Sequence, residues 1–179
     1  MLEIQNCCLV VIDVQGKLAQ LMVDKESLFK NIRILIQAAQ ILEIPILWCQ
    51  QVPGALGPTA PEIAELLAGQ EPIDKASFSC CGEERFMDAF NSLDKDQVLL
   101  CGIEAHVCVY QTAMDLMEEG LDVTVVADAV SSRTEQNRQL ALKRLSDEGA
   151  GIGSTEMVLF ELLGTAKHPQ FREIAKLVK

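Results

Sequence analysis

The feature that most constrains this chain is a set of short apolar runs that do not alternate. Residues 8–14, 45–49, 97–101 and 123–127 are rich in Val, Ile and Leu. A strand with one wet face alternates apolar and polar residues, whereas a continuous run fits a strand covered on both faces, as in a parallel sheet. A weaker final strand is expected at residues 151–153. Helical patterns fall between the runs. Residues 25–42 place Leu28, Ile32, Leu35, Ile36, Ala39 and Leu42 on one face. Further helices are expected at 61–68, 83–90, 107–119 and 134–148, then from a Ser154 cap through 163, and at 169–177. Strand–helix alternation at this spacing predicts a parallel α/β sheet with right-handed crossovers. One domain over residues 1–179 is expected, since the chain can bury one sizeable core but not two ordinary ones.

Charge narrows the partners. The formal net charge is −11, which argues against a nucleic-acid surface and against an anionic membrane surface. No apolar run approaches a bilayer span, and the first fifteen residues carry no basic segment ahead of an apolar one. A cytoplasmic location is therefore expected. The seven cysteines are odd in number and irregular in spacing, so they read as free thiols rather than a disulfide framework.

Active sites of parallel sheets gather at the carboxyl ends of the strands, and three such ends carry chemistry. Asp13 closes the first run in Ile12-Asp13-Val14-Gln15, where it reads either as a turn aspartate or as a partly desolvated base with a raised pKa. Cys108 falls in the first turn of the helix that follows Cys101-Gly102. Unsatisfied N–H groups there favour a thiolate and offer an oxyanion site; the plainer reading is a small core residue. Lys75, in Ile73-Asp74-Lys75-Ala76-Ser77-Phe78, reads as a surface lysine unless the other two residues lie beside it. Cys7, Cys8, Cys49 and Cys101 are core candidates.

These segments together resemble the isochorismatase-like cysteine hydrolases. The resemblance rests on Leu9 through Gln15, on Asp74 through Phe78, on Cys101-Gly102-Ile103-Glu104-Ala105-His106-Val107-Cys108-Val109, and on the stretch from Val125 to Arg133. It implies a three-layer α/β/α, Rossmann-like fold with a six-stranded parallel sheet, and an Asp–Lys–Cys triad at Asp13, Lys75 and Cys108. It also implies a non-proline cis peptide between Ile103 and Glu104, with the N–H groups of Glu104 and Cys108 forming an oxyanion hole. The implied chemistry is hydrolysis of an amide-type C–N bond in a small molecule through a Cys108 thioester, without a cofactor. A homo-oligomer is implied as well. Gln15, Trp48, Gln50, Phe78 and His106 are candidate pocket residues, each with a packing role as the alternative. Residues 51–59 form a Pro- and Gly-rich loop, either over the pocket, at a subunit contact, or a plain connector.

One departure from the family pattern matters. Nicotinamidases carry an Asp-x-His metal motif after the second strand, whereas here that stretch reads Leu47-Trp48-Cys49-Gln50-Gln51-Val52-Pro53. The chain has only two histidines, His106 and His168, so no catalytic metal is expected and a nicotinamidase-type activity is disfavoured. Adjacent Cys80-Cys81 lacks metal-site spacing. Two other readings compete with the hydrolase: a silent binding or assembly protein on the same fold, and a thiol redox protein. The last is weakened by the lack of a Cys-x-x-Cys motif and of a resolving cysteine near Cys108 in sequence.

Overall fold

The computed structural model describes all residues 1–179. Six strands, β1 (Cys7–Ile12), β2 (Ile46–Gln51), β3 (Ile73–Lys75), β4 (Gln97–Ile103), β5 (Asp122–Ser131) and β6 (Gly151–Gly153), form one sheet in the order β3-β2-β1-β4-β5-β6. All neighbours pair in parallel. The helices are α1 (Gly16–Gln20), α2 (Lys25–Ile41), α3 (Pro53–Leu56), α4 (Pro61–Ala64), α5 (Glu84–Ser92), α6 (Tyr110–Glu118), α7 (Glu135–Asp147), α8 (Thr155–Leu163) and α9 (Phe171–Leu177). The architecture is a three-layer α/β/α sandwich.

The continuous apolar runs follow from this layering. Successive strand side chains point to opposite faces, and in β1 both destinations are buried. Cys7, Leu9 and Val11 join one apolar cluster with residues of α2, α8 and α9. Cys8, Val10 and Ile12 join the other, with residues of α5, α6 and α7. Every residue of β1 and of β4 is buried, which is why neither run alternates in polarity.

Strand order reverses between β1 and β4, and the ends of these two neighbours define the crevice where such folds bind ligands. Their approach is tight. Gly102 sits at φ +119°, and a Cβ there would lie 2.1 Å from the Ile12 carbonyl oxygen, so only glycine fits. Between Leu100 and Gly102 the β4–β5 register shifts, and from Gly102 on β4 pairs with Val130 and Ser131 of the second half of β5. A second close approach, a Gly16 Cβ position 2.2 Å from the Leu56 oxygen, lets α3 pack onto α1.

Candidate active site

Asp13, the first residue past β1, is 2 % exposed. Its backbone is left-handed at φ 53°, a conformation aspartate tolerates better than most residues. Its N–H still donates to the Cys49 carbonyl (3.1 Å), so the turn forms without breaking the sheet ladder. Lys75 closes the edge strand β3, two strands away, and is 3 % exposed. Its ammonium reaches back across the sheet end to Asp13 Oδ2 (2.7 Å) and to Gln51 Oε1 (2.6 Å). It also donates to the carbonyls of Phe78 (3.0 Å) and Ser77 (3.2 Å). A buried ammonium needs such a cradle. Asp13 Oδ1, by contrast, is buried with no hydrogen-bond partner.

Cys108 lies in a π-helical turn, Ala105–Val109, that leads directly into α6. It is 7 % exposed and shares a cavity of about 100 Å³ with Asp13, Gln51 and Glu104. Leu18, Leu56, Phe78, Ile103 and Val107 complete the walls. The peptide between Ile103 and Glu104 is cis. No backbone carbonyl accepts from the Glu104 N–H. The Glu104 carboxylate accepts from the Arg133 N–H (3.1 Å) and from Arg133 Nε (3.0 Å), which fixes the turn to the end of β5.

Burial dominates the electrostatics. It pushes the Asp13 carboxyl above its ordinary value, with the Lys75 charge and hydrogen bond offsetting only part of the rise. Burial is the largest single influence on Lys75 and would lower its pKa, but the Asp13 charge and hydrogen bond together with the nearby Cys80 and Cys108 outweigh it, and the net direction is up. The Cys108 thiol is pushed up to about 12, first by burial and then by the Asp13 charge, against the opposing pull of Lys75. The sequence expectation that a helix start tips Cys108 towards thiolate is therefore corrected for the free protein: desolvation wins, and the resting group is a thiol.

Of the residues singled out from sequence, Asp13, Lys75, Cys108, Glu104 and Phe78 come together. The other four lie off the cavity. Gln15 is fully buried and acts as a clamp, donating to the carbonyls of Gly57 (2.7 Å) and Gln51 (3.1 Å) and accepting from the Gln51 N–H (2.6 Å). Trp48 packs in the apolar cluster with α2. Gln50 follows Trp48 in the strand alternation and points away from Lys75, while its neighbour Gln51 faces it. His106 bonds Ser132 Oγ through Nδ1 (2.9 Å) and meets Asn137 Nδ2 at Nε2 (3.3 Å). Sequence reasoning missed Leu18 and did not single out Gln51 or Leu56 individually, although both lie in the 51–59 stretch offered as a loop over the pocket and both line the cavity. A polar residue ending an otherwise apolar strand was the available signal for Gln51. It also missed Cys80, whose N–H donates to Thr112 Oγ1 (2.9 Å) and which is close enough to Cys108 and Lys75 to shift both. No three His, Cys, Asp or Glu side chains converge as a metal-holding group, and the Gln51 oxygen, at the strand end where a nicotinamidase motif would sit, already serves the Lys75 ammonium.

Comparison with known proteins gives the same outline. The isochorismatase domain family matches residues 7–157. Isochorismatase domain-containing protein 2 of Danio rerio is 41% identical over 177 residues, covering 99% of this chain and 89% of that protein. The secreted isochorismatase effector Isc1 of Phytophthora sojae is 39% identical, covering 96% of this chain and 83% of its own. A solved structure described as the MAR1 ribonuclease from Caenorhabditis elegans superposes with a TM-score of 0.93 at 41% identity, covering 99% of this chain and 91% of that one.

Proposed function

This chain belongs to the isochorismatase domain family, and from that premise we propose that it is a cysteine hydrolase opening an amide-type C–N bond of a small molecule. One observation carries the reading: the unpartnered, buried Asp13 Oδ1 stands in the same small cavity as the Cys108 thiol, while Lys75 holds the other carboxylate oxygen. A carboxylate oxygen left without a donor beside a thiol is placed to take its proton.

The steps follow from that placement. As Cys108 Sγ attacks the carbonyl carbon, its proton passes to Asp13 and a C–S bond forms. The negative charge developing on the carbonyl oxygen meets the N–H groups of Glu104 and Cys108. Collapse breaks the C–N bond, and Asp13 returns the proton to the leaving amine. Water then attacks the thioester carbon, Asp13 accepts its proton, and the acid departs as Asp13 re-protonates the sulfur. Throughout, the Lys75 charge stabilises whichever of Asp13 and Cys108 bears the negative charge.

The competing reading, a silent protein on this fold, draws on the thiol held near 12. Direct trapping separates the two. Incubation with a panel of small amides, an acid quench and peptide mass spectrometry should yield an acyl adduct on Cys108, with ammonia or amine released. Cys108→Ala should lose both. Amide turnover that survives in Cys108→Ala overturns the nucleophile, and no adduct with any amide moves the assignment to a binding protein. The nematode neighbour is described as a ribonuclease. For this chain a net charge of −11 disfavours a polyanionic substrate, and RNA should remain uncut under conditions that release amine.

A further inference from the structure

The cavity that holds Cys108 is selective by construction. Its apolar wall is continuous: Leu18 and Leu56 from one side, Phe78 from the segment after β3, Ile103 and Val107 from the cysteine turn. Both carboxylates in its wall already carry a cation, and no cationic side chain lines it; the Arg133 guanidinium, held by Glu104 through Nε alone, lies outside the wall and is more than half exposed. Asp13 pairs with Lys75 at 2.7 Å, and Glu104 pairs with Arg133 at 3.0 Å. The Lys75 ammonium has four acceptors around it and is wholly buried, so it offers no free N–H to an incoming anion. A carboxylate or phosphate on the substrate would thus lose its water and find no cation, a desolvation cost with no return.

Size sets a second limit. About 100 Å³ is well below the roughly 300–1,000 Å³ of a pocket for a drug-sized ligand, so only a short group fits inside. The mouth is apolar too, since Phe78 is 55 % and Leu56 37 % exposed there. A leaving group therefore passes out between side chains that ask for no charge on it.

We infer that the Cys108 cavity takes the acyl part of a neutral amide bearing a short apolar group, and turns away acyl groups that carry a negative charge. The inference rests on the hydrolase reading above and narrows it to a substrate class.

The test uses probes of one size and two charges. Cys108 is alkylated with iodoacetamide and, separately, with iodoacetate, at mildly alkaline pH. High salt screens the net charge of the chain, and the half-exposed Cys81 serves as the control within the same molecule. Relative to Cys81, Cys108 should prefer the neutral reagent by about tenfold, the factor that roughly 1.4 kcal/mol of discrimination gives. Unlabelled butyramide should protect Cys108 from iodoacetamide, while succinamate should not. Leu56→Lys, which puts a cation on the partly exposed rim, should erase the preference by raising the iodoacetate rate. A Cys108 that neither reagent labels and that forms no acyl adduct with butyramide overturns the hydrolase reading itself. Labelling without charge preference, or equal protection by succinamate and butyramide, overturns the substrate class and leaves the nucleophile standing.

Discussion

Two recesses in this molecule differ in size and in what their polar groups are doing. The larger, about 290 Å³, lies among Asp24, Asp128, Ser131, Glu135 and Arg138. It looks the better binding site until its bonds are followed. Arg138 donates to the carbonyls of Val130 (3.0 Å) and Ala127 and to Glu135 Oε1 (3.1 Å). Asp128 Oδ1 accepts from the Thr155 N–H (2.7 Å) and hydroxyl (2.8 Å), and Ser131 donates to the Val23 carbonyl (2.7 Å). These groups bind together the irregular stretch of β5, where the register with β4 slips. The Cys108 cavity is about a third as large, yet it alone holds a buried carboxylate oxygen without a donor and a thiol beside it. Capacity for chemistry follows unmatched polar atoms, not volume.

That contrast can be broken by substitution. In the small cavity, Asp13→Asn removes the proton acceptor and should lower kcat/KM by about 10²–10⁴, the usual contribution of a positioned general base; a rate within a few-fold of the parent, with amide substrate and folded protein, would remove Asp13 from the mechanism. Lys75→Met leaves the Asp13 charge buried and unpaired. Breaking such a pair costs about 3–5 kcal/mol, to be read from urea unfolding, and Asp13→Asn combined with Lys75→Met should recover much of the loss. In the large recess, Arg138→Ala removes charge-assisted bonds of about 1.5–3 kcal/mol each in gross terms. With the side chain 25% exposed, the net fall in stability should be about 1–2 kcal/mol, and turnover per folded molecule should stay at the parental level. A loss of turnover there without a loss of stability would mean the larger recess takes part in the reaction.

The smallest expected effect is on pH. Burial raises the Asp13 pKa, so a carboxylate needed as base is lost at higher pH than an ordinary one as acid is added. The acid limb of kcat/KM should have its midpoint above the normal carboxylate range and vanish in Asp13→Asn. For folding the pH sense is opposite: a carboxyl whose folded pKa is raised favours the folded state when protonated, and that contribution disappears as pH rises through the raised value.

The parallel sheet was legible because burial on both faces writes itself as continuous apolar runs. The exceptions have physical causes. β5 extends to Ser131 rather than 127 because Asp128 interrupts the apolar run while its side chain is satisfied by Thr155. Helices α1 and α3, of five and four residues, are too short to show a period, and they bring Leu18 and Leu56 to the cavity. Asp13 and Cys108 stood out as a charged and a reactive residue beside strand ends, whereas Lys75 read as a surface lysine on its own and joined them only through the family resemblance. Gln51 and Gln50 were indistinguishable by type, and only the two-residue alternation of a strand whose register is known separates them. The resting state of Cys108 was out of reach too, since desolvation depends on walls drawn from five separate segments.

Gly102 has a consequence for how such a protein can change over time. Because β4 meets β1 at backbone contact, the separation of acid and thiol is set by main-chain packing rather than by the size of any side chain. The walls of the cavity, carried on α1, α3 and the segment after β3, are independent of that distance. The shape of the cavity is therefore open to point mutation at Leu18, Leu56 or Phe78 while Asp13 and Cys108 stay in register, and a lineage can change what fits there without disturbing the carboxylate and the thiol.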